Sequence, residues 1–269
     1  MNTAPGPTRR PGAGPLLRDW RARRRRSQLD LSLDAGVSAR HLSFVETGRA
    51  APSRPLLLAL AESLEVPLRE RNAMLLAAGF APTFPTADLA DDQLRPVRDA
   101  LQHLLTGQLP YPALVVDRWG DVQLTNAAIA PLLVGVAEEL LSTPINVYRL
   151  SLHPHGLAPR IRNLTDWAGH LVDRLARQSR QTGDPRLAAL LDEVRGYPAG
   201  QTPADDSDPL RDVLITLHLD HPAGELRLIS TITNFGAPHD VTLSELGVES
   251  FFPADAATRA TLQRLAEPT

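Results

Sequence analysis

The sequence predicts an all-α N-terminal domain followed by an α+β C-terminal domain. Three observations carry this. Between residues 16 and 80 the apolar residues recur at helical spacing, broken only by capping and turn residues. Beyond a Pro-rich stretch at residues 80–85, short alternating segments and tight turns are interleaved with long amphipathic stretches. The charge divides at the same place: residues 1–80 hold 13 Arg against 7 acids, residues 81–269 hold 15 against 24. A basic first part on an acidic second part suggests that only the first meets nucleic acid.

The first fifteen residues, rich in Pro and Gly, read as a disordered arm. Leu16, Leu17 and Trp20 begin a first helix, which runs into Arg21 and the Arg23–Arg26 run. Ser27 is placed to cap a short second helix carrying Leu29, Leu31 and Leu33, with Ala35 at a helix–helix contact. Gly36 supplies the positive φ of a tight turn. Ser38 caps a third helix whose buried face is Leu42 and Val45, and Thr47-Gly48 closes it. A fourth helix follows Pro55, and Pro67 opens a fifth that ends at Gly79.

Short helices joined by a Gly turn suit a helix-turn-helix bundle, the unit here spanning Ser27 to Glu46. Its third helix would enter the major groove with its N-terminal residues foremost. That places Ser38, Ala39, Arg40, Ser43 and Phe44 toward the bases, Arg40 as a bidentate partner for guanine. Arg24, Gln28, Arg49 and Arg54 are placed to reach backbone phosphates. The frame S-Q-x-x-L at 27–31, A-G-V-S at 35–38, L-S at 42–43, E-x-G-R at 46–49 and P-S at 52–53 resembles the XRE-type helix-turn-helix, with Ser32 a mild departure. The resemblance implies binding to double-stranded DNA through residues 16–80.

Residues 81–88 read as a linker, and residues 89–269 as one domain. Leu94, Val97, Leu101, Leu104 and Leu105 mark a helix ended by Pro110. Ala113–Asp117 and Val122–Thr125 form a hairpin around Arg118–Asp121, and Asn126 caps a helix through Leu133. Ile161 to Arg180 and Asp184 to Gly196 are amphipathic helices. Thr202–Pro209 is a loop whose acids are solvated. Val213–Leu219 and Leu226–Thr233 form a second hairpin, joined with the first into one sheet crossed by the 161–180 helix. Leu243–Phe252 adds a strand and Ala256–Leu265 a final helix.

The strand–turn–strand–Asn–helix opening resembles a PAS domain. Over residues 16–266 the chain resembles the MmyB-like regulators. The stretches that carry this are RHLSFVETGRAAPSR (40–54), VPLRERNAMLLAAGFAP (66–82), VVDRWGDVQLTN (115–126), NVYRLSLHPHGLAPRIRNLTDWAGHLVDRL (146–175), DPRLAALLDEVRGYP (184–198) and FGAPHDVTLSELGVESFFPAD (235–255). Leu124-Thr125 departs from the aromatic the family often has before that Asn. The resemblance implies an all-α helix-turn-helix N-terminal domain followed by an α+β PAS-like domain. It also implies a transcriptional regulator sensing a small apolar, fatty-acid-like ligand. The polar residues then expected at the pocket are Asn126, His153, Arg160, Arg162, Asn163 and Asn234. Arg162 and Asn163 lead as partners for a head group, and Trp167 belongs either to the core or to the pocket wall. A dimerisation or protein-interaction module without ligand remains the alternative for this domain.

No G-x-S-x-G elbow, H-E-x-x-H pair or P-loop occurs, so no catalytic residues are expected. With no cysteine, disulfides, thiolate metal sites and a Cys nucleophile are excluded. His153-Pro154-His155 lacks a third ligand at matching spacing, and neither a metal nor a cofactor is expected beyond a bound apolar ligand. No segment reaches the roughly 18 apolar residues of a membrane span, so a cytoplasmic protein without membrane contact is expected. A single recognition helix reads few base pairs, so the protein is expected to act as a homodimer.

Overall fold

Three serines set the helix starts of the N-terminal unit. Each sits in extended backbone and accepts a backbone N–H three residues on: Ser27 from Asp30, Ser38 from His41, Ser53 from Leu56. In the computed structural model, which describes residues 12–201, 216–235 and 240–267, the helices are α1 (Ala13–Arg23), α2 (Gln28–Asp34), α3 (Ala39–Glu46), α4 (Arg54–Ser63) and α5 (Leu68–Ala77). Leu17, Trp20, Leu31, Leu42, Val45, Leu57, Leu60 and Leu75 form their common core. Leu29 and Leu33, in contrast, are exposed on α2.

Helix α1 starts at Ala13, inside the expected arm. Only Gly fits at position 14, where a Cβ would stand 2.3 Å from the Val45 carbonyl oxygen. The α1 backbone therefore lies directly on the end of α3. The rest of the expected arm, residues 1–11, lies outside the described residues. Gly36, at φ 66°, makes the turn between α2 and α3.

The chain divides into two units, the first running to Thr86 and taking in Asp240 and Val241, the second comprising the rest from Ala87. The stretch expected to be a linker is tied to the first unit. The buried Asn72 side chain on α5 donates to the Phe84 carbonyl and accepts from the backbone N–H of Thr83 and Phe84.

In the second unit, α6 (Arg95–Gly107) precedes β1 (Ala113–Val116) and β2 (Val122–Thr125). After α7 (Val147–Leu152), α8 (Leu164–Thr182) and α9 (Pro185–Gly196) come β3 (Thr216–His221) and β4 (Gly224–Asn234). One turn of helix, α10 (Val241–Ser244), then leads into β5 (Gly247–Pro253) and α11 (Ala256–Ala266). The expected loop 202–209 and the first residues of the expected strand, 213–215, lie outside the described residues. The five strands form one antiparallel sheet in the order β2-β1-β5-β4-β3. The last strand thus sits between the two hairpins, pairing with β1 on one side and β4 on the other. The unit is the α+β PAS-like domain that the sequence predicts.

Strand alternation sorts the two faces. Ala113 and Val115 of β1 pack with Leu101 and Leu105 of α6. Leu114 and Val116 turn the other way, as do Leu217, Leu219, Leu226 and Leu228, whose face is covered by Trp167, Leu171 and Leu175 of α8. Two expected helices begin differently. Residues 161–163 do not join α8: Ile161 bridges to Leu219, and the Arg162 N–H donates to the His218 carbonyl, so this stretch lines the edge of β3. Residues 127–133 form a 3-10 helix, Ala127–Leu133, interrupted by Pro131, and the Asn126 side chain makes no cap bond to it.

Candidate functional site: nucleic-acid interface and ligand pocket

Helix α3 buries Leu42, Val45 and Glu46 and leaves Arg40, Ser43, Phe44 and Thr47 on the opposite arc. The 3.6-residue period puts Arg40 and Phe44 one turn apart. The Arg40 guanidinium lies over the Phe44 ring, 5.4 Å from its centroid. Ala39 flanks this arc and Ser38 caps the helix start. The arc is therefore a flat, one-turn platform with one cation, one aromatic edge and two hydroxyls. Arg49, at the turn after α3, is exposed.

The other expected phosphate contacts have partners inside the unit. Glu46 is the reason for two of the arrangements. Its carboxylate, 1% exposed, receives Arg21 Nε at 2.6 Å, Arg21 Nη2 at 2.9 Å and Gln28 Nε2 at 2.7 Å. Burial alone would raise this carboxyl, but the bonds from Arg21 and Gln28 hold it below the usual carboxylate range. Gln28 thus stands at the start of α2 as expected, with its amide spent on Glu46. Arg24 donates to the Leu64 and Glu65 carbonyls and closes the end of α4. Arg26 pairs with Asp34, and Arg54 donates to the Thr83 hydroxyl. Within the arginine run Arg24 and Arg26 are thus bound inside the unit, and Arg23 lies over the Trp20 ring.

In the second unit a small cavity of about 60 Å³ lies between the sheet and α8. Leu114, Ile129, Leu132, Leu150, Leu171 and Phe251 are among its apolar walls, and Trp167 is one of them, which settles its place on the wall as well as in the core. Three polar side chains reach it: Ser151, Arg174 and Glu249. None of the three was singled out from sequence. A signal for Arg174 was present, since Trp167, Leu171 and Arg174 fall at i, i+4 and i+7 on the buried stripe of α8.

The six polar residues expected at the pocket do not line it. Asn126 is buried at the start of the sheet, where Oδ1 accepts from the Ala113 N–H and Nδ2 donates to the Leu105 and Tyr111 carbonyls. Asn163 donates to the Thr216 carbonyl and accepts from the His218 N–H, fixing the 161–163 stretch to β3. Arg162 is exposed and pairs with Asp220 at 2.6 Å. Arg160 donates one amino group to the Leu132 carbonyl at 2.6 Å, while its Nη1 is buried without an acceptor among the described residues. The His153 ring packs edge-on against Tyr197, whose hydroxyl is pushed up to about 12 by burial and by its bond to Glu193. Asn234 is exposed at the end of β4. Most of the six bond backbone or surface partners, which a sequence cannot distinguish from polar groups awaiting a ligand.

Among the described residues no cluster of three His, Asp or Glu could hold a metal ion, and no helix is long and apolar enough to cross a membrane.

The family model described as "MmyB-like transcription regulator ligand binding domain" matches residues 97–265, and the one described as "Helix-turn-helix" matches residues 17–71. No curated protein matches the chain. Among solved structures, one described as "Structure of an RNA-binding Light-Oxygen-Voltage Receptor" aligns at 14% identity over 93% of this chain. This chain spans 62% of that chain's length, and the TM-score of 0.28 is too low for the likeness to carry any argument.

Proposed function

The chain belongs to the MmyB-like transcription regulators, and we propose that it is a homodimeric, sequence-specific regulator whose C-terminal domain binds a small apolar ligand of fatty-acid type. It is a DNA-binding transcription regulator by both of its matched domains. The observation that supports sequence reading is the outward arc of α3, where Arg40 is held over Phe44 and free to pair with a guanine edge. Both matched families are regulator domains, which supports a role without catalysis. A cytoplasmic location fits a regulator that acts on DNA.

Arg40→Ala is expected to cost about 1–3 kcal/mol on a site selected from random DNA and to relax preference at one base pair. Arg49→Ala should instead weaken all sequences alike and reduce the salt slope of binding by about 1. Electrophoretic or anisotropy titrations over a salt series measure both. Equal losses on every sequence for Arg40→Ala would remove it as a base reader.

Two recognition helices on a two-fold site would extend a short contact into a specific one. Light scattering on the protein alone and with its selected DNA should give twice the monomer mass. A monomer in both conditions would overturn the dimer.

The apolar lining of the pocket supports the ligand class, because each buried methylene gains about 0.8 kcal/mol without any hydrogen bond. One observation favours the protein-interaction alternative. A volume of about 60 Å³ is far below the roughly 300–1,000 Å³ of ligand sites, so a chain can enter only if α8 and its neighbours part from the sheet. Melting temperature measured against fatty acids of rising length decides. A rise with chain length supports the sensor, and a flat series leaves the interaction module.

A further inference from the structure

Among the described residues the apolar pocket has one cationic wall residue, and it makes no hydrogen bond there. Arg174 stands on the pocket face of α8, seven residues after Trp167, with its side chain 25% exposed. A guanidinium carries five N–H donors, yet Arg174 makes no hydrogen bond among the described residues. Its nearest anion is Glu249 at 3.9 Å, beyond hydrogen-bond reach, and its remaining neighbour is the face of Tyr148, 5.9 Å from the ring centroid. Glu249, by contrast, is deeply buried at 6% exposure and already accepts the Ser230 hydroxyl at 2.8 Å. A second donor on the same wall also has no partner among the described residues: Trp167 is buried, and its indole N–H meets no acceptor there. Two side chains of the wall, Arg174 and Trp167, thus carry donors without a hydrogen-bond partner among the described residues.

We propose that Arg174 anchors the anionic head group of an amphiphilic ligand, and that Glu249 is the internal counter-charge the head group supplants. This rests on the reading of the domain as a ligand sensor. A carboxylate offers two acceptor oxygens that match the guanidinium fork, where the chain's own Glu249 reaches it with neither. The apolar tail then runs from Arg174 past Leu171 toward Leu114 and Leu132, and the head stays at the partly exposed end. Glu249 also sets a limit on affinity. Once the head group is seated, two anions face one cation, and the buried Glu249 disfavours the arrangement. The same chain ending in a hydroxyl or an ester gains little from Arg174 and is not repelled by Glu249. The pocket is thus built to read the head group as well as the tail.

The test uses the full-length protein and three probes of equal chain length, each below its micelle threshold: dodecanoate, dodecan-1-ol and methyl dodecanoate. Binding is read by calorimetry and by Trp fluorescence. The expected result is dodecanoate bound tenfold or more tightly than the alcohol and the ester. Arg174→Met should bring the acid down to the affinity of the alcohol and leave the alcohol unchanged. Glu249→Gln should tighten the acid several-fold without affecting the alcohol. Should Arg174→Met fail to fold because Glu249 is left alone, the double variant Arg174→Met/Glu249→Leu removes both charges and should likewise abolish the preference for acid. Equal binding of all three probes by the wild-type protein, or a preference for acid that survives loss of Arg174, overturns the anchor while leaving the sensor intact. Binding of none of the three overturns the sensor reading and the anchor with it.

Discussion

Arg21→Met will remove most of the stability of the N-terminal domain. The substitution keeps an apolar stem as far as the position of Nε but takes two hydrogen bonds and a positive charge from Glu46, whose carboxylate is 1% exposed. The Gln28 amide and the more distant charge of Arg18 then remain to face it. Breaking one half of a buried ion pair typically costs about 3–5 kcal/mol, because the stranded charge keeps its desolvation penalty. Whole domains have about 5–15 kcal/mol in total, and small ones lie at the low end. Amide-exchange protection in α1 to α5 should therefore collapse, and DNA binding should fall with it, even though Arg21 is not on the outward arc of α3. Replacing both partners, Arg21→Met with Glu46→Leu, should recover much of the loss, since no charge is then stranded. Protection in the single variant that stays within a few-fold of wild type would show that Glu46 is not held by Arg21.

The same pair fixes a pH dependence. Hydrogen bonds from Arg21 and Gln28 outweigh burial and keep Glu46 below its ordinary value of 4.5. A carboxyl whose folded value is depressed stabilises the fold above the unfolded value, and that stabilisation is lost as pH falls through the folded one. Exchange protection of α1 to α5 should accordingly decline as pH falls below the ordinary value of 4.5 and through the lower folded one, and the paired Arg21→Met/Glu46→Leu variant should lack this component.

What was legible in the sequence was whatever rests on neighbours along the chain. Ser27 and Ser38 cap their helices through N–H groups three residues away, and Gly36 turns the chain between them. The hairpin at 113–125 is equally local. What was not legible depends on distant partners. Arg24 closes a helix forty residues on, and Asn72 ties down a stretch that its own composition marks as a linker. The place of β5 between two hairpins is set by pairing with strands far along the chain on both sides, which no periodicity records. The ligand pocket failed for a related reason. Polar residues were sought for their chemistry, and most of those found are occupied by backbone groups. Arg174 was hidden in plain spacing, a charge on the apolar stripe of α8.

Asn126→Ala separates the two roles that a buried polar side chain can have. From the sequence Asn126 was a helix cap and a pocket contact; in the fold its amide joins three pieces of main chain. Oδ1 takes the Ala113 N–H at 3.1 Å, where β1 begins. Nδ2 gives to the Leu105 carbonyl at 3.1 Å, near the end of α6, and to the Tyr111 carbonyl at 2.8 Å in the connection between them. The main-chain N–H of Asn126 adds a bond to the Ala113 carbonyl, so the residue locks the first hairpin to the helix behind it. Alanine keeps that last bond and removes the other three. Each buried group left without a partner costs about 1–3 kcal/mol, though Leu105 keeps a second donor in the Gln108 N–H. A total loss of about 3 kcal/mol or more follows. At roughly 2–4 °C per kcal/mol for a domain of this size, melting should fall by about 6–12 °C. Asn126→Asp should fare no better, because a carboxylate would face two carbonyl oxygens. A ligand contact would behave in the opposite way, losing affinity with little change in melting. Dodecanoate affinity of the Ala variant, measured well below its melting point, should stay within about threefold of wild type. If melting is unchanged and affinity falls, then Asn126 faces the ligand and its backbone bonds are incidental.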